Sequence, residues 1–134
     1  MTKEEQIQDI LQRGVAEIIH EGGLAKKLRS GKKLRIKLGI DPTSPNIHIG
    51  RAVVLWKLRA FQNLGHKVVF IIGDFTGQIG DTSDKDAERP MLTEKEVKAN
   101  LKNYLAQAYK ILDKSKTEFH YNSKWLKKLG FAEI

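Results

Sequence analysis

The segment DPTSPNIHIGRAVVLWKLRAF, residues 41–61, puts His48 and Arg51 in what reads as the first turn of an apolar helix. A helix N-terminus carries roughly half a unit of positive charge, so cations there are unfavourable by up to about 1 kcal/mol. A bound anion reverses that balance, because it meets the free backbone N–H groups and the guanidinium together. His48 and Arg51 are three residues apart and share one side of the turn. Gly50 lies between them and leaves room for a flat ring or a phosphate to approach the backbone. The chemistry this pattern fits is retention of a polyphosphate. From the residues alone, an exposed neutral His48 beside a solvated Arg51 is an equal alternative.

A second stretch, GDFTGQIGDTSDKDAERP (73–90), has the same character. Gly73, Gly77 and Gly80 permit tight turns, and Asp81 is a candidate partner for an ammonium group. Lys85 and Arg89 are four apart and would grip phosphate together if that stretch coils. Asp84 and Asp86 read better as part of a solvated charge cluster with Lys85 and Glu88. A calcium loop starting at Asp81 fails, since its sixth position is Asp86 rather than Gly and its twelfth is Leu92 rather than Glu. Neither GxxxxGK[ST] nor GxGxxG occurs, so a nucleotide site here is of another kind.

These loops need elements to carry them. Ile7, Ile10, Leu11, Val15, Ile18 and Ile19 follow helical spacing, with Gly22 and Gly23 as the expected stop and a short second helix in LAKKLRSG. LRIKLGI (34–40) alternates apolar and basic residues and predicts a strand. Asn46 is the expected cap of the next helix, whose apolar positions are read as Ile49, Ala52, Val53, Trp56, Ala60 and Leu64. KVVFIIG (67–73) predicts a strand buried on both faces. Thr93 with Glu96 forms a capping box for a helix to about Leu112, TEFHYN (117–122) a third strand, and SKWLKKLGFAEI the start of another helix. The resulting β-α-β-α-β order predicts an α/β fold with a parallel sheet and both crossover helices on one face. The other face then needs the N-terminal helices or something outside the chain. The expected organisation is one partial domain, with a helical segment over 1–33 and a nucleotide-binding half over 34–134. Ligands of such sheets bind beyond the carboxyl ends of the strands, where both loops lie.

Composition narrows the partners. The 134 residues carry 24 Lys and Arg against 16 Asp and Glu, a net charge of +8. KKLRSGKKLRIK (26–37) holds seven of the cations without an acid. That balance suits nucleotides or RNA, and equally a solvated, solubilising surface. There is no cysteine, which excludes a disulfide framework, a cysteine-based zinc site and a thiolate nucleophile, and fits a cytoplasmic location. The N-terminus lacks a signal-peptide core, and VVFII (68–72) is far too short to span a membrane.

LGIDPTSPNIHIGRAVVLWKLRAFQNLGHKVVFIIGDFTGQIGDTS resembles the start of the catalytic domain of bacterial tyrosyl-tRNA synthetases. HIGR stands where class I synthetases carry HIGH, and YNSKWL follows in family order. The resemblance covers roughly residues 34–131 and implies a Rossmann-like fold. It implies an enzyme that activates tyrosine with ATP and transfers it to tRNA(Tyr), with magnesium carried by ATP and no protein metal site. The family is homodimeric. By position, Gly39, Asp41 and Thr43 would line the adenylate and phosphate path, and His48 and Arg51 would contact triphosphate and ribose. Gly50 would lie under adenine, Thr76 and Asp81 would hold the substrate ammonium, and Lys85 and Arg89 would face pyrophosphate. His48, Arg51, Lys85 and Arg89 are thus the expected catalytic set.

The chain departs from the family pattern at three positions. Arg51 replaces the second histidine of HIGH, and Thr82 stands where many members have proline. Lys37 falls where one branch has the tyrosine that reads the substrate hydroxyl, so that role is left unassigned. The expected remainder, including the KMSKS loop and the anticodon-binding domain, is not in the 134 residues, and weak or no activity is expected of them alone. The alternative is a non-catalytic nucleotide- or RNA-binding relative. GIDPT and IGDTSDKDAERP favour the tyrosine enzyme over its tryptophan relative.

Overall fold

The computed structural model describes residues 1–79 and 91–130. Helix α1 (Lys3–Gln12) starts at a capping box in which the Thr2 hydroxyl accepts from the Glu5 N–H and the Glu5 carboxylate from the Thr2 N–H. It ends ten residues before the expected glycine pair. Gly14 adopts φ 64°, a left-handed conformation that a helix cannot continue through, and Ile19 is left 79% exposed. Gly22 and Gly23 instead fall in the first turn of α2 (Glu21–Arg29).

The chain then runs β1 (Arg35–Ile40), α3 (Ile49–Asn63), β2 (Lys67–Ile72), α4 (Glu94–Ala108), β3 (Thr117–Tyr121) and α5 (Ser123–Leu126). The strands pair in parallel in the order β1-β2-β3, with Leu38 opposite Phe70 and Phe70 opposite Phe119. Even-numbered β2 residues Val68, Phe70 and Ile72 pack under both crossover helices, against Leu55 and Leu58 of α3 and Val97, Leu101, Tyr104 and Ala108 of α4. Both crossovers therefore lie on one face, as two same-handed connections require.

The N-terminal helices do not cover the other face. Ile7, Ile10 and Leu28 form a second core with Phe61 of α3. On the far side of the sheet, Arg35 and Lys67 both pair with Glu118, at 2.6 and 3.3 Å. Val69 sits in register between Lys37 and Glu118 and is only 7% exposed.

The face of α3 differs from its expected one. Leu55, Leu58, Phe61 and Gln62 are buried, while Ile49, Val53 and Trp56 are 85%, 59% and 61% exposed. The helix is apolar around most of its circumference, so periodicity alone does not select a side. Its N-cap is His48, not Asn46. The expected capping box at Thr93 and Glu96 starts α4, which ends at Ala108 rather than Leu112 because the chain turns tightly there while still burying Leu112. The last helix is a single turn over the described residues.

Candidate ligand-binding edge

A polar residue stands within two positions of each strand's end, at the same edge of the sheet. Asp41 follows β1, Gly73 and Asp74 follow β2, and Asn122 follows β3. Parallel pairing brings these ends together, and hydrogen bonds join them. Asn122 Nδ2 donates to Thr76 Oγ1 at 2.8 Å, and Thr76 Oγ1 donates to Asp41 Oδ1 at 2.6 Å. The Phe75 N–H donates to Asn122 Oδ1 at 3.0 Å, which fixes the amide's orientation. Asp74 accepts from the Ser123 N–H and hydroxyl at 2.9 and 2.6 Å, holding the first turn of α5.

Gly73 makes this possible. A Cβ there would lie 1.8 Å from Asp41 Oδ1 and 2.3 Å from Thr76 Oγ1, so only glycine lets the carboxylate and hydroxyl meet across the β2 end. Beside the chain of bonds is a cleft of about 300 Å³ lined by Lys37, Gly39, Asp41, Thr76, Asn122 and Trp125, among others. Lys37 folds over Gly39, two residues along on the same face of β1. The cleft thus offers an acid, a hydroxyl, an amide and an ammonium around an aromatic wall.

The second part of the edge is the loop 41–47 and the start of α3. Arg51 is half-buried. Its Nη1 donates to Tyr104 Oη at 2.8 Å and its Nη2 to Thr43 Oγ1 at 3.0 Å. Both acceptors are neutral, so the positive charge at the helix start is held but not neutralised by them. His48 is exposed, makes no side-chain capping bond, and lies with its Cε1 3.1 Å from where a Gly50 Cβ would stand. Any residue but glycine at position 50 would press on the imidazole.

Of the expected site residues, Gly39, Asp41 and Thr76 meet in the cleft, Thr43 and Arg51 are hydrogen-bonded, and His48 lies over Gly50. Asp81, Lys85 and Arg89 lie outside the described residues. Asn122 lies in YNSKWL but has no role in the sequence reading, although its place directly after a strand at the carboxyl edge is a signal the sequence carries. Tyr104 was missed for a different reason, since nothing local links it to a residue 53 positions earlier. Among the described residues, no group of three His, Asp or Glu side chains is placed to hold a metal ion.

The family model described as tRNA synthetases class I (W and Y) matches residues 28–134. A tyrosine–tRNA ligase of Thermotoga maritima is 52% identical over 134 residues, covering all of this chain and 33% of that protein. A tyrosine–tRNA ligase of Dehalococcoides mccartyi is 57% identical over 131 residues, covering 98% of this chain and 33% of that protein. The chain spans about a third of the length of these curated relatives. Among solved structures, the tyrosyl-tRNA synthetase of Archaeoglobus fulgidus complexed with L-tyrosine superposes with a TM-score of 0.73 at 20% identity, over 95% of this chain and 37% of that one. That of Aeropyrum pernix gives 0.71 at 19% identity, over 91% and 35%. These two likenesses concern the fold.

Proposed function

The chain belongs to the family of class I tRNA synthetases for tryptophan and tyrosine, and from that premise we propose that it carries the ATP- and tyrosine-binding half of a tyrosine–tRNA ligase. In this reading the phosphates of ATP lie against the first turn of α3, with Thr43, His48 and Arg51 as their partners and magnesium arriving on the phosphates. Adenosine runs along Gly39 and Asp41 with its base over Gly50. Tyrosine enters the cleft, where Thr76 and Asp81 hold its ammonium, and Lys85 and Arg89 face the departing pyrophosphate. The tyrosine carboxylate attacks the α-phosphorus of ATP, the bond to the bridging oxygen breaks, and pyrophosphate leaves with the electron pair. The protein's share of such catalysis is position and charge rather than a covalent intermediate. In the whole enzyme, a cytoplasmic homodimer, tRNA(Tyr) then takes the activated amino acid.

The observation that carries this reading is the junction of the first two strand-end loops at 2.6 Å between Thr76 and Asp41, beside a helix start whose guanidinium is held by two neutral oxygens. Identity above 50% to tyrosine–tRNA ligases supports tyrosine over tryptophan. The reading is tested by titrating ATP into residues 1–134 and following backbone amide shifts. Shifts at Thr43, His48, Arg51 and Thr76 at millimolar ATP are expected, and no shifts there would overturn it. Pyrophosphate exchange with tyrosine is expected to be far slower than in a full-length relative, because charge must stabilise the transition state from both sides of the phosphate chain. Exchange at the full rate would show that this half suffices.

A further inference from the structure

Helix α4 presents Asn100, Tyr104 and Gln107 at i, i+4 and i+7, a spacing that aligns them on one face. All three bond to the segment 42–51. Asn100 Nδ2 donates to the Pro42 carbonyl at 3.0 Å. Tyr104 Oη accepts from Arg51 Nη1 at 2.8 Å. Gln107 Oε1 accepts from the Ile47 N–H at 2.9 Å, while its Nε2 donates to the Pro45 carbonyl at 3.0 Å.

The segment has few means of ordering itself. Pro42 and Pro45 have no N–H, which removes two backbone donors from a short loop. Its internal bonds include Thr43 N–H to the Asp41 carbonyl at 2.9 Å, Ser44 Oγ to the Asn46 carbonyl at 2.9 Å, the Arg51 N–H to the His48 carbonyl at 3.0 Å and Arg51 Nη2 to Thr43 Oγ1 at 3.0 Å. The polar row of α4 supplies four more. Tyr104 is fully buried, so its ring cannot swing aside, and its hydroxyl is a fixed point for Arg51. The Arg51 fork then spans Tyr104 and Thr43, which among the described residues take only part of its five N–H donors. The same helix also backs the second loop: a Cβ on Gly77 would meet Pro42 Cδ at 3.3 Å and Val97 Cγ2 at 3.8 Å.

We infer that α4 is the template of the phosphate-binding segment, with Tyr104 and Gln107 as positioning residues that hold Arg51 and the loop 42–47 ready for a polyphosphate. The inference rests on the ATP reading above and adds to it a specificity: these residues serve the phosphate chain and not the nucleoside. Neither need touch the ligand. Tyr104 acts through Arg51, and Gln107 acts through the backbone on either side of Asn46.

The test compares residues 1–134 with the Tyr104→Phe, Gln107→Met and Arg51→Ala variants, titrated separately with ATP, tripolyphosphate and adenosine. Tyr104→Phe removes one oxygen and should weaken ATP and tripolyphosphate by about fivefold, the worth of one hydrogen bond, with adenosine unchanged. In an Arg51→Ala background, Tyr104→Phe should cost nothing further, since its effect passes through that guanidinium. Gln107→Met should weaken tripolyphosphate in the same sense and speed hydrogen exchange at the Ile47 amide. It stands as the second variant should the tyrosine replacement fail to fold. Equal losses for adenosine and tripolyphosphate, or additive losses in the double variant, would reduce α4 to a structural support and overturn the inference. ATP binding by the parent chain with unaltered binding in both α4 variants overturns the inference alone. Failure of the parent chain to bind either ATP or tripolyphosphate overturns the ATP reading, and the inference with it.

Discussion

At the amino end of the sheet, Gln62 has no solvent exposure and its amide Nε2 reaches the Asp113 carbonyl, the Lys116 carbonyl and Thr117 Oγ1 at 2.9 to 3.1 Å. Its Oε1 accepts from the Asp113 N–H at 2.8 Å. At the carboxyl end, Asp41 and Thr76 are only half-buried, and their bonds run along the wall of an open cleft. Gln62 is enclosed by its own chain and has its hydrogen-bonding capacity used internally. Asp41 and Thr76 hold each other in place beside a cleft that a ligand can fill, and Arg51 is held separately by Tyr104 and Thr43. The difference sets a polar side chain enclosed by the fold against side chains beside an open cleft, the place of the proposed ligand, and it lies in exposure rather than in residue type.

The largest break in this comparison is expected at Gln62. Gln62→Leu keeps the volume but takes the amide from the Asp113 N–H and the Lys116 carbonyl, while the Asp113 carbonyl keeps the Thr117 hydroxyl, and should cost about 3 kcal/mol in urea denaturation. ATP affinity of the folded fraction should stay the same. A loss below about 1 kcal/mol would mean that water replaces the amide.

Gly73→Ala tests the other end. Its methyl group would occupy the space where Asp41 and Thr76 meet, so both stability and ligand binding should fall, the former by about 2 kcal/mol of overpacking strain. Stability lost with binding intact would show that the Asp41–Thr76 contact is structural only, and the distinction between the two ends would weaken.

His66 sharpens the comparison through pH. It is 5% exposed, its Nδ1 accepts from the Leu34 N–H at 3.3 Å, and its Nε2 has no partner among the described residues. Burial, with Lys3 nearby, pushes its pKa below the ordinary 6.5. Between that value and its lowered native one, the unfolded chain takes up a proton that the native protein refuses. Stability should therefore fall as pH drops from about 6.5 and level off below the native pKa. Urea midpoints between pH 8 and 5 should slope less in His66→Gln than in the parent. Identical slopes would mean that His66 takes up its proton as readily in the native protein as in the unfolded chain.

The smallest effect belongs to the exposed ion pairs on the sheet face away from α3 and α4. The Arg35 guanidinium, assisted by Lys67 and His120, holds the Glu118 carboxyl down at about 2. A carbon-detected NMR titration should find it there, and Arg35→Ala should move it back toward the ordinary carboxylate range. Any stability the depressed value lends is present above that ordinary range and lost as pH falls through about 2. Because the pairs are solvent-exposed, the effect on denaturation midpoints near neutrality should be close to nil.

Local chemistry in the chain determined the strands and the starts of several helices. The Thr93 and Glu96 box starts α4 because both hydrogen bonds lie within four residues, and the β-branched run at 67–72 is a strand whose own composition seeks burial. The loops at the carboxyl edge were legible because a glycine, a cation or an acid at a strand end has a limited set of uses, and the class I signature fixes their order. Two matters were decided only by the tertiary structure. One is the face that α3 turns to the core, since a helix apolar on most sides is indifferent until Val68, Phe70 and Ile72 supply a surface to fit. The other is the fate of Arg51. A guanidinium at a helix start is locally unfavourable, and what makes it tolerable is a fixed pair of neutral oxygens on Thr43 and Tyr104, brought together only when α4 packs across the sheet.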